Sequence, residues 1–143
     1  MSLDIPLTPE AMNEYLKTMP FAYENGLRVV EMGDKRAVCK WIHREDQLRP
    51  GGYIPGPTQF HLADLCFWFA VFTAIGVEPM SVTMDLSITY LRPAVGGDLM
   101  AEAKIESVGR SRIYGETSMW VAGDPEKIVS RAVGSYSNPT GKR

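Results

Sequence analysis

One carboxylate stands alone in the most apolar stretch of the chain. Between Pro57 and Gly76 there is no Lys, Arg, Glu, Gly or Pro, and Asp64 is the sole acidic residue. Pro57 suits the first position of a helix and Gly76 its C-terminal stop. Leu62, Leu65, Cys66, Phe67, Trp68, Phe69, Val71, Phe72 and Ile75 place apolar side chains all round such a helix. A helix of this kind is wrapped by protein or spans a membrane. A carboxylate inside it is unfavourable unless paired, hydrogen-bonded or wet. Gly56 sits just before the helix, where backbone N–H groups point out unpaired and the dipole favours negative charge. The two positions offer a proton acceptor or nucleophile and a donor for a developing anion. His61 lies three residues before Asp64 on the same helical face, and is read as a hydrogen-bonded structural side chain. Cys66 has no cationic neighbour in sequence to activate its thiol. No metal-ligand spacing, phosphate loop or redox cysteine pair is present, and two His argue against a His-based metal site.

The elements around this helix follow from pattern. Thr8 reads as an N-cap with Pro9 at the first helical position. Met12, Tyr15, Leu16 and Met19 form one apolar face, and Pro20 ends that helix. Leu27 to Met32 and Arg36 to Ile42 read as strands about a Gly33-Asp34-Lys35 turn. His43 to Pro57, with three Gly and three Pro, is a long loop of the kind that carries function. After the helix, Ser81 to Leu91 alternates, with Val82, Met84, Leu86, Ile88 and Tyr90 on the expected buried face and Thr83 on the other. Further strands are expected over 99–106, 113–121 and 128–136, and 138–143 reads as a polar tail. The strand run has no helical crossovers, so the pairing is antiparallel. Only one helix is apolar enough to fill a curved sheet. The class is α+β: one domain over 1–143, a curved antiparallel sheet around one long central helix.

Composition narrows the function classes. A net charge of −2 gives no argument for nucleic acid or an anionic membrane as partner. The uninterrupted apolar run from Leu65 to Phe72 is far shorter than the ~20 residues a membrane span needs. No basic segment precedes an apolar run at the start of the chain, and Cys39 and Cys66 both sit in apolar segments. The expected location is cytoplasmic.

At this point the chain resembles a known family. Gly56-Pro57, followed at the expected interval by Leu62-Ala63-Asp64, is similar to the His-Gly-Gly…Leu-x-Asp pattern of hot-dog fold acyl-CoA thioesterases related to the phenylacetate-degradation protein PaaI. Residues 82–94 and Gly96-Gly97-Asp98-Leu99 resemble the family's strand and turn after the helix, and Gly109-Arg110 its next hairpin. Pro55 stands where many relatives have His, and Pro57 where they have the second Gly. The Arg49-Pro50-Gly51-Gly52 loop followed by Gly56-Pro57 is similar to a subgroup of relatives.

The resemblance implies hydrolysis of a small, medium-chain or aromatic acyl thioester, without cofactor or metal. Asp64 would act as general base or nucleophile, the N–H of Gly56 or a near neighbour would polarise the carbonyl, and Thr83 would help hold water. Thr58, Gln59, His61, Arg92 and Arg110 are candidate substrate-binding residues, the arginines for the phosphates of CoA. Gly56 and Asp64 are eight positions apart, about 12 Å along a helix, so one carbonyl cannot touch both. If both act together they come from different subunits. The expected partners are acyl-CoA, or another acyl thioester such as one on a carrier protein, and a second copy of the chain, as a homodimer or dimer of dimers. A non-enzymatic acyl- or CoA-binding module and an acyl-thioester hydratase or dehydratase are the alternatives.

Overall fold

The structure, a computed structural model, describes residues 2–143. Its elements run α1 (Pro9–Leu16), α2 (Pro20–Glu24), β1 (Leu27–Gly33), β2 (Arg36–Trp41), α3 (Gly56–Ile75), β3 (Thr83–Tyr90), β4 (Leu99–Val108), β5 (Arg112–Val121) and β6 (Ile128–Ser137). One six-stranded antiparallel sheet has the order β1-β2-β4-β5-β6-β3. It curves around α3 in the hot-dog arrangement that the sequence led us to expect.

Alternation along β4 and β5 turns Leu99, Ala101, Ala103, Ile113 and Met119 toward the helix. The small residues of β4 let the helix backbone approach closely. Phe67, Phe69 and Phe72 of α3 and Trp41 of β2 are fully buried. Each such side chain contributes about 1.5–3 kcal/mol relative to leaving it in water. By length and composition α3 could cross a membrane, but 67% of its apolar window is buried inside the fold. Its apolar surface is consumed by the sheet.

Three expectations are corrected. Pro20 does not simply end the first helix: α1 stops at Leu16 and Pro20 starts α2, where its missing N–H is equally harmless. The central helix begins at Gly56 with Pro55 as N-cap, so Pro57 is the second helical residue rather than the first. The alternation of β3 breaks near its start. Thr83 pairs with Tyr136 and Asp85 with Ser135, leaving Met84 as the extra residue of a bulge. A bulge re-aims the side chains on either side of it. Thr83 therefore turns toward α3 together with Leu86, Ile88 and Tyr90. Val82, Met84 and Tyr90, expected to be buried, are 47–56% exposed.

The long loop is tied down rather than slack. Glu45–Gln47 forms a single 3₁₀ turn, Arg49 pairs with Tyr53, and Ile54 N donates to Ala94 O at 2.8 Å. At the other end Asn138 is buried and its side chain donates to Gly109 O and Lys142 O, so the polar tail starts from a fixed point.

Strand β3 touches β6 through a close approach at Gly134. A Cβ there would lie 2.1 Å from the Asp85 carbonyl oxygen, backbone that cannot yield cheaply. Gly134→Ala is expected to destabilise the fold by about 1–3 kcal/mol, as overpacking does. Urea titration measures this, and an unchanged midpoint would show that β3 tolerates displacement.

Candidate active site

The isolated carboxylate is satisfied from two strands. Asp64 sits on the third turn of α3, half-buried. Its Oδ1 accepts a hydrogen bond from Thr83 Oγ1 at 2.8 Å and lies 2.5 Å from the Tyr136 hydroxyl. The same hydroxyl is 2.8 Å from the Asp64 carbonyl oxygen, so one phenol proton serves two acceptors. Tyr136 reaches this point from β6 with its ring stacked on Phe67, centroids 5.1 Å apart. Burial, and next the charge of Asp64, push the Tyr136 phenol far above its ordinary pKa. The phenol is thus a fixed donor that holds the carboxylate.

Asp64 opens into a cleft of about 260 Å³ lined by Met19, His61, Leu65, Trp68, Thr83 and Tyr136. Trp68 is fixed by donating from Nε1 to Ser81 O at 3.1 Å. His61 departs from expectation. No hydrogen bond holds its ring among the described residues; instead it packs on Phe21, centroids 5.2 Å apart. Burial lowers its pKa, an effect that Asp64 partly opposes, which favours the neutral ring. A charged His–Asp dyad is not formed.

The start of α3 presents a second polar feature. The first four N–H groups of a helix lack intrahelical acceptors. Here Pro55 and Pro57 carry no N–H, and the first intrahelical bond is Gln59 N to Pro55 O at 3.2 Å. Gly56 and Thr58 are the two donors left at the positive end of the dipole. Tyr90, at the far end of β3, donates to Gly56 O at 2.9 Å. Strand β3 therefore grips α3 twice, by Thr83 at Asp64 and by Tyr90 at Gly56.

Gly56, Gln59, Tyr90 and Arg92 line a cleft of about 470 Å³, together with Arg49, Tyr53 and Ile54. Gln59 is 4% exposed and its Nε2 donates to Ile54 O, which leaves Oε1 without a partner among the described residues. Thr58 faces a third cavity on the α2 side of the helix. Arg110, expected to bind substrate, stands exposed on the β4–β5 hairpin and lines neither the Asp64 cleft nor the Gly56 cleft. That hairpin is held beside Asn138, whose side chain donates to Gly109 O.

Tyr136, Tyr90 and Arg49 were not singled out from sequence. The signal for Tyr136 was available: it shares the inward face of β6 with Ser130, Ala132 and Gly134, and its long polar tip could supply the donor that Asp64 needed. What was lacking was the register that joins the two.

The model of the thioesterase superfamily matches residues 51–128, more than half of the chain. Among curated proteins none matches the sequence. Solved structures share the fold. A single-residue variant of the phenylacetic acid degradation protein PaaI from Thermus thermophilus is 25% identical, with 83% of this chain and 98% of that chain covered and a TM-score of 0.72. PaaI of Escherichia coli is 21% identical, covering 92% and 94%, TM-score 0.75. Zebrafish thioesterase superfamily member 2 is 19% identical, covering 92% and 99%, TM-score 0.79.

The raised Tyr136 pKa has a stability consequence. Above about pH 10 the unfolded chain loses this proton while the folded chain keeps it. The unfolded state then binds fewer protons, so stability falls as pH rises, by about 1.4 kcal/mol per pH unit for one group. Urea titrations between pH 9 and 11 should show this slope in the wild type, and a shallower one in Tyr136→Phe. Equal slopes would mean that the phenol is not held as described.

Proposed function

This chain belongs to the thioesterase superfamily, and on that premise we propose that it hydrolyses acyl-CoA thioesters at sites shared between two copies of the chain. The observation that carries the reading is the double grip of β3 on α3. Thr83 marks the Asp64 end of the strand and Tyr90 the Gly56 end. Strand β3 is also an edge of the sheet, with Val82, Met84, Tyr90 and Leu91 exposed along it. An exposed edge strand is a template for pairing. Antiparallel pairing of β3 with β3 of a second copy, about a two-fold axis, sets the Thr83 end of each strand against the Tyr90 end of the other. Asp64 of one copy then faces Gly56 of its partner, which resolves the separation of about 12 Å along one helix.

In this arrangement the thioester carbonyl lies between the two copies. The N–H groups of Gly56 and Thr58 from one copy stabilise the oxyanion. Asp64 of the other, anchored through Oδ1, takes a proton from water, and Thr83 orients that water. The water oxygen bonds to the carbonyl carbon, the carbon–sulfur bond breaks, and the proton returns to the departing thiolate. Arg49 and Arg92, beside Gly56, meet the phosphates of CoA. The chemistry uses protein groups and water alone. A cytoplasmic setting suits the two free buried thiols, Cys39 and Cys66.

Thiol release from a panel of acyl-CoAs tests the proposal. Asp64→Asn should lose about 10²- to 10⁴-fold in turnover, as removal of a general base does. Turnover equal to the wild type would remove Asp64 from the chemistry. Binding without turnover in the wild type would identify a binding module instead.

A further inference from the structure

A cavity of about 430 Å³ lies on the α2 side of the start of α3, and the steps above place no part of the substrate in it. It is walled by Phe21 of α2, Leu27 of β1, Trp41 of β2, Pro55, Pro57 and His61. His61 lines this cavity and the Asp64 cleft alike, so the two spaces adjoin across one imidazole.

The lining has a definite chemistry. No Asp, Glu, Lys or Arg contributes to it. Its amide side chains are engaged with their own surroundings: Trp41 Nε1 donates to Gln47 Oε1 at 2.9 Å, Gln47 Nε2 donates to Asn25 Oδ1 at 3.0 Å, and Asn25 Nδ2 donates to Phe21 O. What remains facing the space is ring and aliphatic surface, with the uncharged side chains of Thr58 and His61. A charged guest there would lose its hydration without gaining a counter-charge.

Phe21 is the anomaly of this wall. It is 74% exposed, the largest exposure of any large apolar side chain described, although it sits on a helix whose Ala22 is buried. Its one ring partner is His61. An aromatic side chain held over a cavity mouth and left open to solvent gains by closing on an apolar guest.

We propose that this cavity receives the acyl group of a thioester held at Asp64 of the same chain, and that Phe21 selects for uncharged acyl groups larger than acetyl. The inference rests on the thioesterase reading above and adds the acyl selectivity. The thiol half of the substrate then leaves along the partner's Gly56 cleft, with its arginines, and the acyl half passes His61 into the uncharged cavity. Both Phe21 and α2 lie outside the segment that matches the superfamily, residues 51–128, so selectivity is set by a part of the chain separate from the chemistry.

The test is a profile rather than a single rate. Wild type and Phe21→Ala are assayed with acetyl-CoA, hexanoyl-CoA, benzoyl-CoA and succinyl-CoA, the last carrying a carboxylate on the acyl end. Exposure of Phe21 means that the variant keeps the fold, and an unchanged urea midpoint checks this. The wild type should favour hexanoyl- and benzoyl-CoA over acetyl- and succinyl-CoA. Phe21→Ala should lower kcat/KM for the two favoured substrates by about 2- to 10-fold, the worth of one aromatic contact, and leave acetyl-CoA unchanged. An equal loss on all four substrates, an unchanged profile, or dissociation of the dimer without a change of profile would each overturn the role of Phe21. No turnover of any substrate by the wild type would instead overturn the thioesterase reading itself.

Discussion

A carboxylate in the wall of an apolar helix is tenable here because two hydroxyls reach its Oδ1. Hydrogen bonds to a charged group contribute about 1.5–3 kcal/mol each, and an unpaired buried carboxylate forfeits that and more. The surrounding structure is the means of delivering those hydroxyls. Tyr136 arrives from β6, stacked on Phe67, and Thr83 arrives from β3 because the bulge at Met84 turns it inward. Without the bulge, regular alternation would point Thr83 to the opposite face of the sheet. The edge strand is short, but both of its inward-facing ends are committed: one to Asp64, the other to Gly56.

The start of the helix is shaped by subtraction. Two prolines remove two of the four free N–H groups, and those of Gly56 and Thr58 remain. An oxyanion site needs few donors, but they must be fixed before the reaction begins. The bond from Ile54 to Ala94 fixes the approaching loop, and Tyr90 fixes the Gly56 carbonyl from the other side. The departure from the family's usual His and Gly at positions 55 and 57 thus leaves an ordered pair of donors.

Much of this was legible in the sequence because it depends on local pattern. The all-apolar run from Leu65 to Phe72 with one carboxylate nearby marked both the core helix and its chemically interesting residue. Alternation placed β4, β5 and β6 to within two residues. What was not legible depends on pairing between distant segments. The bulge in β3 is a mismatch of register with β6, and no pattern within 81–91 announces it. Tyr136 read as one more strand residue until its neighbour across the sheet was known. Helix α2 is five residues long, too short for periodicity to register, and Pro20 signals a helix start as well as a stop. His61 read as a hydrogen-bonded side chain, whereas its contact is the ring of Phe21, forty positions earlier.

The central claim is that each site draws Asp64 from one copy and the Gly56 N–H from the other. Mixing two disabled chains tests it most directly. Asp64→Asn removes the carboxylate. Gly56→Pro removes the backbone donor; a Cβ there would lie 3.0 Å from Tyr90 Oη, so an unchanged urea midpoint must accompany the assay. Each variant alone should be inactive. Co-refolded in equal amounts they should recover about a quarter of wild-type turnover, because half the dimers are hybrids and each hybrid holds one intact site. Absence of recovery from properly mixed, folded dimers would contradict the shared site, as would a Gly56→Pro chain that hydrolyses acyl-CoA unaided.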